Sequence, residues 1–184
     1  MEKQIRLETS YKQTPKTRVN AIKRVASNRN DRPALTGYSI QNGYKIVTDS
    51  YHVIMVHQDE MPLPLVATSE QLQELGIDKE EYMNKYSRTS LLNFNYPNMR
   101  TFMEYSTENE IQIDINDILA FAKLHKKDDS LYTINGSTYR PKYLKNIIDV
   151  LGSDIKCYYQ GEYKPLYIIN SDNEIGMVLP CRKY

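Results

Sequence analysis

Apolar and polar positions alternate most clearly between residues 35 and 57. Leu35, Gly37 and Ser39 alternate with Thr36, Tyr38 and Ile40, the period of a β-strand. Asn42-Gly43 follows, the strongest of the short hairpin signals. Tyr44, Ile46 and Thr48 then alternate with Lys45, Val47 and Asp49, which predicts a second strand. Asp49-Ser50 supplies a turn, and residues 52–57, rich in Val, Ile and Met, predict a third.

Around this core the pattern predicts further elements. Residues 3–8 alternate as a first strand. A helix opens near Thr14-Pro15, with Val19, Ile22 and Ala26 on one face. Met61-Pro62-Leu63-Pro64 cannot continue a central strand. Thr68 with Gln71, and Asp78 with Glu81, have the spacing of capping boxes. They open two short helices, one carrying Leu72 and Leu75, the other Tyr82 and Tyr86, divided by Gly76. Residues 93–103 read as a connector and a short strand. Residues 110–115 form a half-buried strand, and Ile115, Ile118, Leu119 and Ala122 mark a helix after it. Residues 131–134 form a short strand ended by Asn135-Gly136. Pro141 opens a helix whose stripe is Leu144, Ile147, Ile148 and Leu151, capped by Gly152. Strands at 155–160, 165–169 and 175–180 close the chain. The order strand, helix, strands occurs at least twice, as a repeat of elements and not of sequence.

With 184 residues the chain accommodates one large or two small domains. Its formal net charge is +1, so global charge selects no partner and the placement of its 24 Lys and Arg matters instead. The sequence shows no apolar run long enough for a bilayer and no signal-peptide pattern, which predicts a cytoplasmic protein without a membrane partner. Cys157 and Cys181 fall in predicted strands and are expected as buried thiols. Sixteen Tyr with no Trp places many amphipathic rings at sheet edges and interfaces.

Several chemistries lack their residues. His52 and His57 are an odd number of positions apart on one strand and face opposite ways, and no Cys-x-x-Cys or His-Glu-x-x-His spacing occurs. Neither a metal nor another cofactor is expected. There is no Gly-x-Ser-x-Gly elbow and no Gly-rich phosphate loop, and Asp128-Asp129 reads as a turn. Nothing in the sequence supports an enzyme. The basic helices are the strongest chemical signal. Lys16, Arg18, Lys23, Arg24, Arg29 and Arg32 lie in or just after the first helix; Lys123, Lys126, Lys127, Arg140, Lys142 and Lys145 lie around the two later ones. Such runs are either solvated faces or a track for phosphates, whose neutralisation is indifferent to base sequence.

Certain segments resemble one family. Arg32-Pro33-Ala34-Leu35-Thr36-Gly37 is similar to the Arg-Pro-x-Leu-x-Gly lead-in of the bacterial sliding clamp, the beta subunit of DNA polymerase III. Val47-Thr48-Asp49-Ser50-Tyr51-His52-Val53 resembles its Ala-Thr-Asp-Gly-His-Arg-Leu turn. Tyr96-Pro97-Asn98-Met99-Arg100 resembles a Phe-Pro-Asp-Tyr-Arg segment at its junction of second and third domains. The end of the chain, from Lys164-Pro165 to Leu179-Pro180-Cys181-Arg182, is similar to its closing strand pair. The likeness covers residues 16–57 and 94–184; residues 58–93 match poorly.

The resemblance implies an α+β fold of sliding-clamp type, shortened, with helices on one face of antiparallel sheets. It implies two units, 1–94 like an incomplete second clamp domain and 95–184 like a third. It implies a non-catalytic DNA-replication accessory, with duplex DNA and a DNA polymerase or other clamp-binding-motif protein as partners. On the matched positions DNA would meet Lys16, Arg18, Lys23, Arg24, Arg29, Lys123, Lys126, Lys127, Lys142 and Lys145. A peptide cleft would be lined by Thr48, His52, Val53, Pro97, Phe102, Met177, Leu179 and Pro180. Ser50 replaces a Gly of the family, and His52 stands where it has Arg. The alternative is a peptide-binding clamp mimic or regulator without DNA affinity. A ring would require three copies, and a homo-oligomer, a dimer and a monomer all remain open.

Overall fold

Thr14 and Pro15 start the first helix as the sequence predicts. The computed structural model describes residues 11–27, 31–86 and 94–182. Pro15 sits in the first turn, and the Thr14 hydroxyl accepts the Thr17 N–H at 3.1 Å. This helix, α1 (Pro15–Val25), buries Ala21, Ile22 and Val25 and leaves Lys23 and Arg24 at its far end. The strand expected over residues 3–8 lies outside the described residues.

The first strand begins later than its alternation suggests. Pro33 favours a helical turn, and the Thr36 hydroxyl closes it on the Pro33 carbonyl at 2.8 Å. Residues Pro33–Thr36 therefore form a 3-10 turn, and β1 is only Ser39–Gln41. Asn42 (φ 50°) and Gly43 (φ 79°) make the predicted hairpin to β2 (Tyr44–Thr48), and β3 (His52–Val56) follows. The expected capping box at Thr68 is complete and opens α2 (Ser69–Glu74). Asp78 caps α3 (Lys79–Tyr86) through the Glu81 N–H at 2.9 Å. Leu72 and Tyr82 are buried from these helices, whereas Leu75 is exposed.

The short strand expected within 93–103 is instead a 3-10 turn, Arg100–Phe102. Tyr96, Met99 and Phe102 are spaced by three, so this segment lays its apolar side chains on one side. Strand β4 (Glu110–Ile111) is shorter than its alternation, because Asp114 caps α4 (Ile115–Leu124) through the Asp117 N–H. After β5 (Tyr132–Ile134), Asn135-Gly136 turns into β6 (Ser137–Tyr139), a strand too short to stand out in the sequence. Helix α5 (Pro141–Leu151) ends at Gly152, whose φ of 89° favours glycine. β7 (Ile155–Tyr159), β8 (Leu166–Asn170) and β9 (Ile175–Val178) complete the chain. Cys157 is buried in β7, while Cys181 lies beyond β9 and is only half-buried; both are free thiols.

One antiparallel sheet of seven strands runs β1-β2-β3-β9-β8-β7-β4. Its middle is the β3/β9 pair, with Val53 opposite Met177 and Ile54 opposite Gly176. On each side of that seam a helix is followed by three strands: α1 with β1 to β3, α5 with β7 to β9. The sheet thus continues past residue 94. Helices α1, α5 and α4 lie side by side on one face. Strand alternation sorts the core: Val47, Ile54, Val56, Ile168 and Val178 meet the helices, while Ile46, Val53, Met55, Ile169 and Met177 pack under Leu35, Val66, Tyr96 and Met99. Among the described residues no helix is long and apolar enough to cross a membrane.

Two arginines of α1 tie this arrangement together. Arg18 grips Glu174, the residue before β9, through both terminal nitrogens at 2.9 and 2.7 Å. It also reaches the Val150 carbonyl of α5 at 2.6 Å. Glu174 further accepts the His57 N–H and the Asn170 amide. Burial alone would raise the Glu174 pKa; the Arg18 and backbone hydrogen bonds outweigh it, and the net shift is downward.

Two stability experiments test this packing. A Cβ on Gly176 would stand 2.2 Å from Ile147 Cγ2, so Gly176→Ala should destabilise by about 1–3 kcal/mol, read as a lower urea midpoint. Adding Ile147→Ala to it should recover part of the loss that the two single changes predict together. The ionised Glu174 contributes stability that is present above the ordinary carboxyl pKa and lost as pH falls through its depressed value. Glu174→Gln should therefore destabilise by about 3–5 kcal/mol at neutral pH, by leaving Arg18 unpaired. In urea titrations across pH its deficit relative to the parent chain should shrink toward low pH.

Candidate nucleic-acid interface

Two buried polar residues of α5, opposite its apolar stripe, set the floor of the site. Asn146 and Asp149 share a face at helical spacing and are both buried. Asp149 accepts from Tyr11 Oη at 3.0 Å, from Arg24 at 2.8 Å and from Lys145. Burial and then the Asp149 charge push the Tyr11 phenol pKa up. Asn146 Oδ1 accepts from Arg24 Nε at 2.9 Å, so its amide nitrogen faces His52 Nε2 at 3.2 Å. His52 Nε2 is thereby the acceptor, and its Nδ1 carries the proton toward Asp49 Oδ1 at 2.8 Å. Burial would raise the Asp49 pKa, but the hydrogen bonds of His52 and of the turn backbone bring it down. With His52 completely buried and both ring nitrogens engaged, this pair fastens the β2–β3 turn to α5 and presents no base to solvent.

Above that floor lie two adjoining depressions, about 550 and 700 Å³ in volume. They share Arg24, Lys142 and Asn146. The smaller adds Lys23, Arg32, Asp49, Tyr51 and Tyr143; the larger adds Lys123, Lys126, Lys127, Arg140 and Lys145 with the carboxylates Asp128 and Asp129. Those two carboxylates are occupied locally. Asp128 is held at about 2 by the His125 hydrogen bond and by Ser130, and Asp129 pairs with Arg140 at 2.8 Å, which raises the Arg140 pKa. Lys23, Lys123, Lys126, Lys127 and Lys142 form no ion pair among the described residues. Cations at the end of α4 are also where the helix dipole favours them. The arrangement can hold a row of anions.

The predicted DNA contacts therefore separate. Lys23, Arg24, Lys123, Lys126, Lys127, Lys142 and Lys145 share one surface. Lys16 is exposed near the start of α1, away from both depressions, and Arg18 is directed into the Glu174 pair. Arg29 lies outside the described residues. Arg32 and Arg140 join the surface from outside the site set drawn from the sequence.

The predicted cleft residues separate as well. Val53 and Met177 face each other across the β3/β9 seam, both 2% exposed, with Phe102 and Leu179 half-buried on the same cluster. His52 points to the opposite face of the sheet. Thr48 is buried, its hydroxyl donating to the His52 carbonyl at 2.8 Å. Pro97 is exposed and its carbonyl accepts from Gln41, while Pro180 lines a small hollow beside Gly136 and Glu162. Sequence reasoning passed over Tyr11, Asn146 and Asp149. Helical periodicity places Asn146 and Asp149 opposite the apolar stripe, with Lys142, and their burial comes from Tyr11 and Arg24 elsewhere in the chain.

No protein-family model matches the chain, and no curated protein matches it. Solved structures do. The beta subunit from the DNA polymerase of Streptococcus pyogenes is 14% identical with a TM-score of 0.58, over 91% of this chain and 63% of that one. The DNA polymerase sliding clamp from Bacillus subtilis is 15% identical with a TM-score of 0.55, over 91% and 62%. DNA polymerase III subunit beta from Borrelia burgdorferi is 12% identical with a TM-score of 0.56, over 92% and 61%. The chain thus spans less than two thirds of the proteins it resembles. What it shares with these sliding clamps is their fold: helices laid on one face of an antiparallel sheet.

Proposed function

We propose that this protein is a non-catalytic DNA-replication accessory of sliding-clamp type that tracks duplex DNA along its helical face. One observation carries the reading: cationic side chains from three separate helices, α1, α4 and α5, meet on one solvent-facing surface. The chain as a whole is nearly neutral, so this concentration is local. Exposed carboxylates away from both depressions include Glu70 and Glu74 on α2 and Glu80 and Glu81 on α3, while Asp128 and Asp129 in the larger one are paired locally. Separated signs steer a polyanion toward one face. Lysines with no ion pair among the described residues suit phosphates and carry no base-reading geometry.

The two units, 1–94 and 95–184, would each be a clamp-type half sharing the β3/β9 seam. The protein partner would be a polymerase or another chain with a clamp-binding motif. Half-buried Phe102 and Leu179, on the same cluster as Val53 and Met177, support such a contact, with Val53 and Met177 as its floor and not as its lining.

Fluorescence anisotropy with a labelled random-sequence duplex tests the main reading. Affinity should fall steeply and log-linearly with salt. Lys126→Ala with Lys127→Ala should weaken every duplex alike and lower the salt slope by about 2, roughly one per phosphate contact. An absence of binding at low salt would sink the DNA reading. If peptides with clamp-binding motifs still bound, the mimic without DNA affinity would replace it.

A further inference from the structure

We propose that the smaller depression, between the end of α1, the start of α5 and the β2–β3 turn, is a stacking site for an unpaired nucleotide of a DNA strand. The proposal rests on the duplex-tracking reading and adds to it a preference for single-strand–duplex junctions. Its basis is a ring stack that runs from the buried His52 out to the surface. His52 lies on Tyr143 with ring centroids 4.4 Å apart. Tyr143 in turn lies parallel to Tyr51, at 6.0 Å and 6° between planes. Tyr51 is 50% exposed, so a planar base can continue this stack on its open face.

The turn holds Tyr51 in place before any ligand arrives. Ser50 has a φ of 81°, and Asp49 Oδ1 accepts the N–H groups of both Tyr51 and His52. The Tyr51 carbonyl accepts the Leu179 N–H at 3.0 Å, which ties the turn to the chain after β9. The backbone that carries the Tyr51 ring is thus ordered before a base stacks on it. Phosphate partners stand around the rings. Lys142 Nζ is 5.0 Å from the Tyr143 centroid, Arg32 donates to Ser50 Oγ at 2.8 Å, and Lys23 lines the same hollow. Four cationic side chains face a single carboxylate there, and Asp49 is already engaged by His52. About 550 Å³ is a volume suited to a nucleotide-sized ligand. The neighbouring depression presents chiefly ammonium groups, which fit a duplex backbone; among the described residues it is at this end of the surface that cations surround the Tyr51–Tyr143–His52 stack.

The experiment uses the full chain and 2-aminopurine at the first unpaired position of a duplex with a single-stranded overhang. The protein has no Trp to interfere with the emission. Binding should quench the probe, and the overhang substrate should bind about tenfold more tightly than the blunt duplex. Tyr51→Ala should abolish both effects while leaving blunt-duplex affinity unchanged, and Tyr51→Phe, which keeps the ring, should retain both. Blunt-duplex binding without quenching or overhang preference would overturn this inference and leave the duplex reading standing. Failure to bind either substrate would remove both readings. Reversal of the quench by excess dATP would overturn the strand assignment in favour of a free nucleotide. Reversal by polyglutamate would reduce the site to charge alone.

Discussion

Two carboxylates buried behind the helical layer, Asp149 and Glu174, are the constraint on which the rest depends. Each receives an arginine from α1, Arg24 and Arg18 respectively, on successive turns of that helix. A carboxylate with 2 or 5% of its side chain exposed must be paired, because desolvating it alone is costly. Both carboxylates belong to the second half of the chain, and both arginines to the first. The polar contacts therefore fix how α1 lies against α5, and through it how the β3/β9 pair is covered. Gly176 completes this constraint from the sheet side, since the absence of a side chain there lets Ile147 and Leu151 sit directly on β9.

The surface follows from that arrangement. With α1, α5 and α4 held side by side, residues that do not face the sheet face solvent together. On α5 the same helix divides its polar residues by depth: Asn146 and Asp149 go to the interior, and Lys142 stays out. Arg24 and Lys145 sit between these layers, each with one charge partly answered from below. Among the described residues the lysines at the end of α4 have no such partner, and so they give the face its excess positive character. A basic surface on a chain of net charge +1 requires sorting of charge by fold: Asp149 and Glu174 are buried, Asp128 and Asp129 are paired locally, and Glu70, Glu74, Glu80 and Glu81 lie on α2 and α3.

Burial of both sheet faces explains why the expected peptide cleft reads differently once folded. Alternation along β3 sends His52 to the helices and Val53 to the other side. A list of residues drawn from one sequence segment is therefore divided between two environments. On the far face, Tyr96 and Met99 close over the seam, and the Thr48 N–H donates to Tyr96 Oη at 3.1 Å. Val53 and Met177 become interior residues there, and Phe102 and Leu179 stand at the margin.

The sequence by itself determined most local structure. Asn-Gly pairs at positions 42–43 and 135–136 demand a left-handed backbone, Thr68 with Gln71 can cap only one way, and the stripe of α5 has one burial solution. It also identified which segments carry the cations. It misjudged the lead-in at 33–36 and the connector at 94–103, where a proline and a spacing of three favour 3-10 turns over strands. Only the tertiary structure decided which arginines remain available. Arg18 and Arg24 are equivalent in one dimension, yet one lies turned inward beneath a buried glutamate and the other at the rim. Only it brought Tyr51 from a turn and Tyr143 from a distant helix into a parallel stack. Such pairings depend on contacts between residues far apart in sequence, and neither propensity nor periodicity carries information at that range.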